Sequence, residues 1–176
     1  MASPIPHRLL RLKAPLLFLL MLSACNEELG PLHEPSGFSG VVRFKNWPPA
    51  DSIREMRLVA FAMPPTDSAG IIPLLLAGKA AVYPKVPGDY LPTLVDSLKY
   101  EFTTEQGTNL QVIEYPYVAI MYQYGPNIFA NWRPAGVYSG KPDSFDPAPV
   151  RVLLHRVVEG IDISVDFNNL PPPPWR

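Results

Sequence analysis

Hydrophobic positions fall in two rhythms along this chain. Residues 14–22 form an unbroken apolar run, preceded by Arg8, Arg11 and Lys13 with no acidic residue, and followed by polar Ser23, Asn26, Glu27 and Glu28. A basic segment, a short apolar stretch and small residues are the plan of a secretory leader. The run is about half of the roughly 20 apolar residues that a spanning helix needs. Residues 1–24 are therefore predicted to be a cleaved signal, too short to anchor by themselves.

From residue 37 onward the dominant period is two. Val42 and Phe44 alternate with Arg43 and Lys45; Leu98, Tyr100 and Phe102 alternate with Lys99, Glu101 and Thr103; Ile161, Ile163, Val165 and Phe167 alternate with Asp162, Ser164, Asp166 and Asn168. Such alternation predicts half-buried strands at 37–45, 97–103 and 161–168. Residues 56–63 are mostly apolar and predict a central strand covered on both faces. Residues 110–124, rich in Val, Ile and Tyr, predict another, with Pro116 at a bend or edge. Residues 150–158 and 161–168 read as a closing pair joined through Glu159 and Gly160. Residues 51–55 suit a helical turn capped by Asp51 or Ser52. Residues 66–96 show no clear period and admit a short strand, a helical turn or a loop over the core.

Twenty-three prolines in 176 residues far exceed the usual ~5%, and each would cost about 3 kcal/mol inside a helix. Helices are thus disfavoured. The expected fold is all-β, an antiparallel Greek-key β-sandwich of about seven strands. The organisation that follows is a leader (1–24), a polar tether (25–36), the sandwich (37–170) and a Pro-rich tail (171–176) that is expected to project as polyproline II.

The apolar leader ends in Leu22, Ser23, Ala24 and Cys25. These four residues resemble the lipobox of bacterial lipoprotein precursors. The resemblance implies cleavage between Ala24 and Cys25 by the lipoprotein signal peptidase, diacylglycerol on the Cys25 sulfur and a further acyl chain, such as palmitate, on the freed amine. Two or three chains, each gaining about 0.8 kcal/mol per buried methylene, hold a protein on a membrane stably. Asn26 is not the aspartate that resembles an inner-membrane retention signal, so the outer membrane is preferred. Glu27 and Glu28 resemble the acidic surface-export signals of Bacteroidota lipoproteins, which leaves the face of that membrane open.

Residues 37–44 (GFSGVVRF), the strand–turn–strand around Tyr100 to Tyr124 and the closing VEGIDISVDF at 158–167 resemble the transthyretin-like or carboxypeptidase regulatory-like β-sandwich family. That likeness implies a seven-stranded Greek key and an accessory role without chemistry of its own.

Charge and chemistry narrow the function classes. Loss of residues 1–24 removes three basic residues and no acidic ones, leaving 12 Lys plus Arg against 16 Asp plus Glu, a net charge of −4. No basic stripe suited to nucleic acid is visible. Cys25 is the only cysteine, so no disulfide forms within the chain. His33 and His155 lack partners at zinc-ligand spacing. Ser39 and Ser139 sit near glycines at the wrong spacing for a nucleophile elbow. Asp162 and Asp166 share one strand face but stand roughly 13 Å apart at about 3.3 Å per residue, too far for a glycosidase pair. Asp143 and Asp146 lack the oxygen ladder of a calcium loop. No cofactor, metal or catalytic residue is predicted.

Residues 125–149 read as one long connection, and connections beyond about 12–15 residues are often functional. Trp132, Arg133 and Tyr138 within it are the candidate binding residues, an amphipathic patch for an envelope protein or a glycan if exposed together. The expected function is a lipid-anchored, non-enzymatic binding or assembly module of the cell envelope. The alternatives are a carbohydrate-binding component of a surface uptake system, or a hydrolase whose site is assembled from distant carboxylates.

Overall fold

The structure, a computed structural model, describes residues 34–141 and 144–175. The leader, Cys25, most of the tether and Asp143 lie outside the described residues. One compact unit begins at Glu34.

Ten strands follow in chain order: β1 (Gly37–Lys45), β2 (Glu55–Phe61), β3 (Ala80–Tyr83), β4 (Ser97–Thr103), β5 (Glu114–Tyr115), β6 (Tyr117–Gln123), β7 (Trp132–Val137), β8 (Val150–Arg151), β9 (Val157–Val158) and β10 (Ile163–Asp166). They make an all-β sandwich. One sheet runs β10-β1-β4 with β9 also on β1, the other runs β3-β2-β6-β7, and β5 pairs with β8 beside them.

The period-two segments become strands because alternation lets each bury one face. In β1, Phe38, Val42 and Phe44 turn inward while Arg43 and Lys45 face water. They meet Met56, Leu58 and Ala60 of β2, Val118, Ile120 and Tyr122 of β6, Tyr100 and Phe102 of β4, and Ile163 and Val165 of β10 in the core between the sheets. The outer face of the first sheet stays wet and polar, with Arg43 bridging to Asp162 at 3.0 Å.

The second sheet is apolar on both faces because it is covered on both. Its outer face carries Val59, Phe61, Tyr117, Ala119 and Met121, packed under Ile71, Leu74 and Leu75 of a short helix α1 (Ile71–Leu76) and under Trp175. Every residue of β6 is buried. This explains why β2 and β6 read as mostly apolar runs rather than clean alternations.

Of the options open for residues 66–96, the structure takes a helical turn, α1, and a short strand, β3, with Pro73 accepted in the first turn of α1, where its missing N–H has no helical partner to lose. Several other expectations are corrected. The turn near 51–55 is a 3-10 turn at Ala50–Ser52 with no side-chain cap. The long connection contains β7, an edge strand, which is why Pro134 is tolerated there. The closing pair is not a hairpin: β9 and β10 both run parallel to β1. The connection between them passes through Gly160, which has φ +80°, and Tyr100 Oη donates to Ile161 O at 2.6 Å just beyond it. The tail does not project, because Pro171 is buried and Trp175 packs on the second core.

One edge of the sandwich is closed by a glycine. A Cβ on Gly136 of β7 would stand 2.6 Å from Ser164 O and 2.8 and 2.9 Å from methyls of Val165 and Ile163 on β10. Only a bare α-carbon lets the two sheets approach here. Overpacking costs about 1–3 kcal/mol, so Gly136→Ala is expected to lower the free energy of unfolding by that much, read as a lower urea midpoint at an unchanged slope. Gly70→Ala, whose new methyl would meet nothing closer than 3.5 Å, serves as the control and should stay within about 0.5 kcal/mol of wild type.

Candidate functional site

The three residues singled out in the long connection do not form one exposed patch. Trp132 is 6% exposed; it lies in the outer core of the second sheet and donates its indole N–H to Ile128 O at 2.7 Å. Its register partner on β6 is Gln123, also buried. Tyr138 is partly buried against the core between the sheets. Arg133 is opposite Tyr122 on β6, one residue out of phase with Trp132, so the two side chains leave β7 on opposite faces. The exposed aromatic pair that the patch required is therefore absent at these positions.

Arg133 instead joins an aromatic series at the end of the sandwich where β1 finishes. Phe44 stacks against Trp47 with ring centroids 4.8 Å apart, Trp47 against Phe167 at 4.8 Å, Phe167 against Tyr122 at 5.8 Å, and Tyr122 against Tyr124 at 6.3 Å. Trp47 donates its indole N–H to Val95 O at 2.9 Å, which fixes the series in place. Burial pushes the Tyr122 phenol above its ordinary value, and the nearby Arg133 charge opposes that shift. Arg133 Nε is buried without a hydrogen-bond partner. The same end carries the β6–β7 turn, whose Ile128 and Phe129 are about half exposed. The turn is stiff: Asn131 Oδ1 accepts from Asn127 N, and Asn127 Oδ1 accepts from Phe129 N, both at 2.9 Å.

A second feature is the segment 84–92, which lies over the edge of the second sheet and borders a cleft of about 370 Å³ lined by Tyr83, Pro84, Lys85, Pro87, Gly88, Asp89 and Gln106. It is held by Arg57, which faces outward from β2 yet is only 6% exposed. Arg57 Nε pairs with Glu55, its Nη1 donates to Pro84 O at 2.8 Å, and its guanidinium sits 4.9 Å from the Tyr90 ring centre. Leu91 N donates to Met56 O at 3.0 Å. These contacts make the segment a fixed cover rather than a lid.

The third feature is at the opposite end, where β1 begins. Val112, Ile113, Glu114, Arg151, Val152, Leu153 and Leu154 line an open cleft of about 540 Å³. Val112, Ile113 and Leu154 are 45%, 37% and 64% exposed, an exposed aliphatic group on this end. Sequence reasoning passed over it, although Leu153 and Leu154 are adjacent and a strand cannot send both side chains to one core.

The carboxylates serve structure. Asp162 accepts from Val41 N at 2.9 Å and from Arg43. Asp166 accepts from the Asn46 amide at 2.8 Å and from Asn168 N at 2.9 Å, and these bonds, the Asn46 amide first, hold its carboxyl below the usual carboxylate range. Among the described residues no three of His, Cys, Asp and Glu stand together at metal-binding distance, and no helix is long and apolar enough to cross a membrane.

Comparison of the chain with models of known protein families, with curated proteins and with solved structures gives no match.

Proposed function

We propose that this chain is an exported lipoprotein, held in the cell envelope by lipid on Cys25, and that its β-sandwich is a non-enzymatic binding or assembly module. The observation that carries the reading is the tetrad Leu22, Ser23, Ala24 and Cys25 closing an apolar leader with basic residues before it. A compact unit beginning at Glu34 is consistent with it, since a folded domain just past residue 33 leaves a short linker to the acylated residue. Two or more acyl chains at about 0.8 kcal/mol per buried methylene make such attachment permanent. Placement on the outer membrane follows from Asn26 after the acylated residue. The likeness to transthyretin-like sandwiches belongs to the same proposal: an accessory domain whose loops and end surfaces bind, with chemistry left to partners.

Mass analysis of the membrane fraction tests this directly. Wild type is expected to yield an N-terminal peptide that starts at Cys25 and carries acyl mass, and Cys25→Ser is expected to lose both the acyl mass and correct sorting. An unmodified Cys25 or cleavage at another bond would overturn the reading.

A further inference from the structure

We propose that the end of the sandwich where β1 begins docks on the surface of the phospholipid bilayer, with Leu154, Ile113 and Val112 entering the headgroup layer. This rests on the reading of Cys25 as an acylated anchor.

Position is the first argument. The exposed aliphatic residues lie where the chain enters the domain: Ser36 Oγ accepts from His155 N at 2.9 Å, Gly37 N donates to Arg156 O at 3.1 Å, and Gly37 is in register with Val157. Eleven residue steps separate Cys25 from Ser36, a reach of at most about 40 Å at 3.3–3.6 Å each. A lipid on Cys25 therefore keeps this end within reach of the bilayer at all times, at a high effective concentration.

The chemistry of the surface is the second. Leu154 is 64% exposed on a segment whose backbone is already paired: Val152 N donates to Ile113 O at 2.9 Å, Glu114 is in register with Arg151, and Leu153 bridges to Arg156. Entry into a less polar layer then strands few backbone groups. Arg151 and Arg156 are exposed beside Leu154, and arginine pairs with phosphate oxygens while laying its aliphatic stem along apolar surface. Glu114 in the same cleft limits the charge attraction, so the aliphatic residues must supply most of the hold. The surface is an open cleft rim, which suits a deformable lipid layer.

A second exposed apolar group, Ile128 and Phe129, is at the other end of the molecule, about 30 Å away along the nine residues of β1 at about 3.3 Å each. It provides an internal control.

The experiment uses the full chain, matured and acylated, in vesicles of phosphatidylethanolamine and phosphatidylglycerol. Leu154→Cys and, separately, Ile128→Cys are labelled with a polarity-sensitive thiol fluorophore. Emission at 154 is expected to shift to the blue and to be quenched by brominated lipid several-fold more than emission at 128. Arg151→Glu with Arg156→Glu in the Leu154→Cys chain should diminish that difference. Equal, water-like emission at both positions would overturn the proposal, as would shielding of 154 in native membranes but not in pure lipid, which would assign the surface to a protein partner. The parent chain separates the two readings. Its sole cysteine is Cys25, so labelling of the parent would show a free thiol and sink the anchor itself, whereas an unlabelled parent with a water-like 154 sinks only the docking.

Discussion

Arg57→Ala is expected to cost the domain about 3–5 kcal/mol, the range for removing one partner of a buried ion pair. The substitution leaves the Glu55 carboxylate, only 18% exposed, without its counter-charge. It also releases the Pro84 carbonyl and the face of Tyr90, two of the attachments of segment 84–92. Chemical denaturation would read the loss as a lower midpoint. Limited proteolysis would read it as faster cleavage after Lys85, because the segment above Arg57 opens more often than the sheet beneath it unfolds. A double replacement, Arg57→Met with Glu55→Leu, should recover much of the stability, since a buried pair exchanged for apolar side chains of similar volume is often neutral. An Arg57→Ala protein within about 0.5 kcal/mol of wild type, the usual range for an inert surface change, would show that Arg57 is not the clasp of this segment.

The residues that made the fold legible are those whose partners are set by local pattern. Residues 37–45 and 97–103 alternate cleanly, and they pair with each other from Gly37 opposite Thr103 to Arg43 opposite Ser97. The mostly apolar character of 56–63 foretold a strand covered on both faces, without indicating that a six-residue helix and Trp175 supply the outer cover. What failed depends on contacts distant in sequence. The β7 segment, Trp-Arg-Pro-Ala-Gly-Val, carries two residues that usually interrupt strands. Pro134 is tolerated on an edge, and Gly136 is demanded by β10, nearly thirty residues further on. The final segments alternate as a hairpin would, and nothing local reveals that both add to β1 in parallel.

The same distinction applies to the binding surface. A patch of Trp132, Arg133 and Tyr138 required the segment around them to be a loop that exposes them together; because 132–137 is a strand, its period sends Trp132 into the outer core and leaves Arg133 facing Tyr122. The exposed aliphatic group at the other end comes from two separate segments, 112–113 and 154, joined by the short β5–β8 ribbon. Its composition was visible in the chain, but its assembly required the fold. The wet face of the first sheet was legible from Asp162, Ser164 and Asp166, and the two aspartates turn out to tie this last segment to β1 and its following turn.

Alkaline solution is expected to unfold this domain steeply. Burial raises the Tyr100 phenol well above its ordinary value, with the Asp162 charge adding to the effect, and burial alone does the same to Tyr117. Both rings are about 95% removed from solvent. For a group whose folded value is raised, the native state keeps a proton that the unfolded state gives up, so its contribution is complete below the unfolded value and disappears as pH climbs toward the folded one. The window therefore opens near pH 10, where unfolded tyrosine titrates. Above it each phenol removes about 1.4 kcal/mol per pH unit, about 2.7 for the two together. Against a total stability of about 5–15 kcal/mol, that slope brings the transition within a few pH units. The part of the phenolate absorbance near 295 nm that comes from the buried rings should then rise together with loss of near-ultraviolet circular dichroism. Tyr117→Phe isolates the effect, because its hydroxyl has no hydrogen-bond partner to lose and its removal relieves an unpaired buried group. That variant should hold its fold to higher pH and lose stability with a shallower slope. Ionisation of all eight tyrosines in a protein that keeps its circular dichroism would mean that these two rings reach solvent without unfolding, and the tight core between and beneath the sheets would have to be redrawn.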